Sequence, residues 1–160
     1  MRFRHPLLSS LVVCLTLFVG QAQEYASRSE RELFAAVNRE RGAQGLPTLR
    51  WNSALADAAR RHAQIMAAHQ SISHQFPGEP SLPVRVSRAG ASYMALAENV
   101  AEAPNPVEIH SLWMHSPGHR ANILDRNMDS IGIAVIERNG EFYAVEDFSK
   151  AKITSAYLAP

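Results

Sequence analysis

Apolar positions along this chain follow two periods, one helical and one of two residues, and the change between them falls near residue 130. Leu33, Phe34 and Val37, with Arg41, share one side of a helix opened by Ser29 and Glu32 as a capping box and ended by Gly42 and Gly45. Asn52 caps a second helix whose stripe runs Leu55, Ala58, Ala59, Ile65 and Met66, with His62 and His69 on or beside it. Residues 75–83, rich in Pro, Gly and Glu, read as loop, and a short helix over 84–89 stops at Gly90. Asn105-Pro106 with Glu108 repeats the helix-start grammar, and that helix is expected to carry Val107, Leu112 and Trp113 toward a core. Ser116-Pro117 opens a further short helix with His119 in its first turn. Beyond it Ile131, Ile133 and Val135 alternate with Gly132, Ala134 and Ile136, and the run Phe142 to Phe148 follows Asn139-Gly140. Asn-Gly between two such runs predicts a hairpin, and Leu96 to Ala101 predicts another strand, carrying Glu98. Helices first and a hairpin last predict an α+β fold with helices covering a mostly antiparallel sheet.

The N-terminal stretch reads differently. A cationic start, Met1 to His5, precedes the apolar run Leu7 to Val19 and the small residues ending at Ala22. This is the pattern of a secretory signal over residues 1–22, with cleavage after Ala22, a lead over 23–30, a single domain over 31–150 and a tail over 151–160. The apolar run is shorter than the roughly 20 residues of a membrane span, so no transmembrane anchor is expected once the signal is removed. The one cysteine, Cys14, lies inside the signal, and Leu11-Val12-Val13 lacks the small residues expected before a lipid-modified cysteine. Without it the secreted chain has no thiol chemistry and no disulfide. With 16 basic and 15 acidic residues and no dense basic run, nucleic acid is not an expected partner.

Histidines carry most of the candidate chemistry. His62, among alanines, reads as a core or boundary residue; His69 as a helix-end residue facing free carbonyls; His110 as surface. His115 and His119 are four apart, but Pro117 and Gly118 interrupt the helix between them. His74 stands in a loop, free to face a cavity. Glu98 lies among Ala95, Leu96, Ala97 and Val100, where a carboxylate is costly unless it is paired, protonated or bound to a cation. Anchoring to backbone amides and binding a cation both remain open for it.

Ser73-His74, Ala97-Glu98-Asn99-Val100, Trp113-Met114 with Ser116 to Leu124, and Ile131 to Ala134 together resemble a bacterial member of the CAP superfamily. That superfamily comprises cysteine-rich secretory proteins, antigen 5 and plant pathogenesis-related-1 proteins. The resemblance runs from about Leu33 to Phe148, and the run Ser116 to Leu124 is its most specific part. It implies a three-layer α-β-α sandwich with an open cleft that in many relatives holds two histidines and two glutamates and can bind a divalent metal. His74, His119 and Glu98 match three of these as metal ligands, with zinc the expected ion; Ser73, Asn99 and Ser116 are the neighbouring ligand-contacting candidates. The second glutamate would stand three places after Trp113, where this chain has Ser116. The implied function is a secreted, extracellular or periplasmic protein whose cleft binds a divalent metal and a lipid, small molecule or protein. A weak metal-dependent hydrolase, a peptidase or envelope-acting enzyme, is the rival reading.

Overall fold

The computed structural model describes residues 26–152, so the signal segment, Cys14 and the tail from residue 153 lie outside the described residues. In chain order the elements are α1 (Arg28–Ala43), β1 (Arg50–Trp51), α2 (Ser53–His69), α3 (Leu82–Arg88), β2 (Tyr93–Ala103), α4 (Pro106–His115), α5 (Pro117–Ile123), β3 (Ser130–Arg138) and β4 (Glu141–Ala151). The strands lie in the order β1-β3-β4-β2. The β3–β4 and β4–β2 pairings are antiparallel and β1 runs parallel to β3, so the sheet is mixed. Helices cover both faces, giving the expected α-β-α sandwich.

The two faces are built from alternate residues of the same strands. Ile131, Ile133, Ala101, Ala103 and Phe148 pack with Leu33 and Val37 of α1, Ile109 and Trp113 of α4, and Ile123 of α5. Val100, Ala134, Tyr143 and Val145 pack with Ala59, Ala63, Met66 and Ala67 of α2. The alanine stripe of α2 meets small residues on β3, so helix and sheet approach closely.

Asn139 and Gly140 take φ values of 55° and 85° at the β3–β4 turn, as the hairpin requires. Asn52 and Asn105 cap α2 and α4 through their side chains. The cap of α1 is Ser27 with Glu30, not Ser29 with Glu32, so the helix begins inside the segment read as a lead. The two readings share one spacing, and only the structure separates them. Ser27→Ala should therefore cost about 1 kcal/mol in a urea melt and Ser29→Ala close to nothing; equal effects would place the cap elsewhere. In α4 the burial differs from expectation. Ile109 and Trp113 are buried, whereas Val107 and Leu112 are 77% and 49% exposed.

Two buried charges seal the sheet and loops. The β1–β3 pairing stops at Trp51 and Ile131, leaving the far part of that β3 edge unpaired. There Glu30 accepts from the Val135 amide at 3.2 Å and pairs with Arg60 at 3.0 Å. Fully buried Arg41 donates to the carbonyls of Pro47, Ile123, Asp125 and Met128, fixing the turn that leads from α5 into β3.

Candidate metal and ligand site

The edge strand β2 is where both faces deliver chemistry. Glu98 and Asn99 are consecutive, so their side chains leave opposite faces of the sheet. Glu98 turns to the α2–α3 side, where its Oε1 lies 2.9 Å from Nδ1 of His74 in the α2–α3 loop, and its Oε2 accepts from Arg85 of α3. Asn99 turns to the α5 side. It donates to the carbonyl of His119 and to Glu146 Oε2, both at 3.2 Å, and accepts from Asn122 at 2.9 Å. Asn122 also donates to the Glu98 carbonyl at 3.4 Å. His74 thus meets this stretch of β2 through its ring, at Glu98, and His119 through its backbone carbonyl, at Asn99.

The electrostatics divide the two imidazoles. The hydrogen bond to Glu98 raises His74 above the ordinary histidine value, against the opposing effect of burial. Burial, with the nearby His74 acting in the same direction, lowers His119. His74 is the proton-holding partner of Glu98, with its side chain 63% exposed. Among the described residues the His119 ring makes no hydrogen bond.

Behind His74 lies a network that its sequence neighbours did not reveal. His62, correctly read as a satisfied buried residue, places Nδ1 2.6 Å from Glu79 Oε1 and Nε2 2.7 Å from the Ser73 carbonyl. Arg85 contacts Glu98, Glu79 and the carbonyls of His74 and Pro80. Asp147, opposite Glu98 on β4, is fully buried with both oxygens unpartnered among the described residues. Burial, with Glu98 adding to it, pushes its carboxyl well above the usual carboxylate range. Glu79 carried no periodic signal. Arg85 between Val84 and Val86, and the paired acids Glu146-Asp147 inside an apolar strand, were signals in plain view.

The remaining candidates take other duties. Asn99, expected to touch ligand, is fully buried with its amide engaged, so it joins β2 to α5. Ser116 occupies the cap position of α5, but its hydroxyl makes no capping bond. Ser73 uses its hydroxyl within its own turn, donating to the Gln75 carbonyl at 2.8 Å. The exposed His69 stacks on Phe76 at 4.5 Å instead of meeting helix carbonyls. His110, read as surface, has both ring nitrogens buried, with Glu40 Oε1 3.8 Å from its Nε2.

Among the described residues, no group of three or more His, Cys, Asp and Glu side chains is placed to hold a metal ion. Both Glu98 oxygens are engaged, one by the His74 ring and one by Arg85. A separate cavity of about 500 Å³ lies between α1 and α4, lined by Leu33, Ala36 and Val107, with Arg31, Arg39, His110 and the paired Arg28 and Glu32 around it. No helix among the described residues is long and apolar enough to cross a membrane.

Comparison with known proteins places this arrangement. Residues 34–148 match the model of the cysteine-rich secretory protein family, CAP. The chain is 34% identical over 117 residues to the uncharacterized protein YkwD of Bacillus subtilis, a match that covers 72% of this chain and 46% of that protein. It superposes with a TM-score of 0.71 and 26% identity on an extracellular protein containing a SCP domain from Bacillus anthracis, over 76% of this chain and 40% of that one. The chain thus spans less than half the length of these two relatives. A second structure, NaASP2 with Zn2+, shares the fold at a TM-score of 0.55 and 12% identity, covering 79% of this chain and 82% of that one.

Proposed function

The chain belongs to the cysteine-rich secretory protein (CAP) family, and on that premise we propose that it is a secreted recognition module whose cleft, at His74 and His119, takes a divalent metal ion, zinc first, together with an extracellular ligand. One observation carries the reading. Glu98 engages Nδ1 of His74, so the other ring nitrogen is left to coordinate, and the His119 ring is uncommitted. A carboxylate behind a metal-binding histidine fixes its tautomer and raises its basicity. Glu98 is thereby an orienting partner, not a direct ligand. Bound zinc would supply a Lewis-acid position open to a ligand oxygen.

The same geometry weighs against the hydrolase. A general base must be aimed at the proton it takes, and Glu98 is instead turned to His74 and Arg85, one on each oxygen. Ser116 adds no carboxylate at the remaining position. Apart from the cleft, the α1–α4 cavity offers a second place for an amphiphile, its apolar lining facing an apolar body and its mixed rim of arginines, Glu32 and His110 facing a polar head. An extracellular relative supports the secreted setting.

Zinc should raise the thermal stability of demetallated protein, by roughly 2.7 kcal/mol at a hundredfold excess over Kd, and His74→Ala or His119→Ala should abolish the gain. The pH dependence has a definite sign. A proton competes with metal for His74, whose pKa is raised by Glu98, so zinc affinity should begin to fall with decreasing pH before the ordinary histidine value of about 6.5 is reached. Identical melts with zinc and with chelator at neutral pH would refute the metal site.

A further inference from the structure

We propose that His62, Glu79 and Arg85 form a buried clamp that positions His74, a role that rests on reading His74 as a metal ligand. His74 stands in the connection between α2 and α3, where a ligand would ordinarily wander. Here the two successive carbonyls at the site are both held from within the protein. His62 Nε2 lies 2.7 Å from the Ser73 carbonyl, and Arg85 Nη1 donates to the His74 carbonyl at 3.1 Å.

Glu79 joins the two clamping residues. Its Oε1 is 2.6 Å from His62 Nδ1 and 3.7 Å from Arg85 Nη1, while its Oε2 accepts from the Phe76 amide at 3.0 Å. Arg85 closes the circuit through Glu98, which engages the His74 ring. All three members are buried, at 0%, 8% and 5% exposure.

Stability alone does not call for this construction, because buried ion pairs can often be replaced by apolar side chains of similar volume without loss. Apolar residues could not hold the two carbonyls that flank the His74 Cα. The clamp fixes the loop backbone through those carbonyls and the ring through Glu98, leaving one ring nitrogen to face the cleft.

The test uses the full chain, with zinc alone as probe, in calorimetry and in nitrogen NMR of the His74 ring at alkaline pH. Wild type is expected to bind zinc and to show one neutral tautomer, its proton on Nδ1. Folded His62→Leu should bind zinc about 10- to 100-fold more weakly and show mixed tautomers. His62→Gln, whose amide can still donate to the Ser73 carbonyl, should recover most of both. Folded His62→Leu with wild-type affinity and a wild-type tautomer would overturn the clamp. Should His62→Leu fail to fold, the nearly isosteric Glu79→Gln is read against Glu79→Leu in the same two measurements, with the same deciding outcomes. If wild type binds no zinc, the metal reading falls while the tautomer comparison still decides the clamp.

Discussion

Gly132→Ala is expected to destabilise the domain by about 3 kcal/mol or more, at the upper end of what overpacking costs. A Cβ at residue 132 would lie 2.0 Å from the Ala56 amide nitrogen, 2.3 Å from the Leu55 carbonyl carbon and 2.5 Å from Leu55 Cβ. Two of these atoms are backbone in the first turn of α2, so no side chain can swing aside. Relief requires lifting α2 from β3, which opens contacts along Ala59, Ala63 and Ala134. Against a typical total of about 5–15 kcal/mol, that is a large fraction of the stability. The loss should reach the site as well, because the loop carrying His74 follows α2 directly. Urea melts decide it. A variant that melts with wild type would mean that α2 does not sit this close to the sheet.

Local grammar explains which elements were legible in the sequence. Asn139-Gly140, Asn52 and Asn105 announce turns and caps through chemistry contained in a few neighbouring residues. The alternation around Ile131 fixed which β3 residues face each layer, and Ile133 and Ala134 fall on opposite sides accordingly. What escaped detection was long-range. The two-residue β1 owes its existence to pairing with Ser130 and Ile131, about eighty positions later. In α4, Val107 and Leu112 are five positions apart and fall on different sides of the helix, whereas Ile109 and Trp113, four apart, share the face that packs on α1 and the sheet. Within the site, the His74–Glu98 contact follows from residues picked out in the sequence, and the engagement of Glu98 by Arg85 does not. A carboxylate's value as a metal ligand depends on who else claims its oxygens, and that is settled only by tertiary packing.

Glu146→Gln is expected to flatten the pH dependence of stability. Glu146 is fully buried beneath Asn99, with Oε1 unpartnered among the described residues, and burial pushes its pKa from 4.5 up to about 8 despite the hydrogen bond from Asn99. Near pH 4 the carboxyl is protonated in both folded and unfolded chains and contributes no penalty. Between 4.5 and 8 the folded chain keeps a proton that the unfolded chain has released, so stability falls as pH rises, by up to about 1.4 kcal/mol per pH unit. Above 8 the folded group also ionises and the penalty levels off. Glutamine does not titrate, so from pH 5 to pH 8 the variant should gain on wild type by roughly 3–4 kcal/mol. The absolute gain at pH 7 is smaller, on the order of 1–2 kcal/mol, because the amide N–H groups inherit the unpartnered position of Oε1. Comparing the two proteins at each pH cancels the titrations they share, including those of Asp147 and His74. Parallel stability curves for wild type and variant across this range would show that Glu146 is ionised in the fold, and would require an unrecognised cation or water beside it.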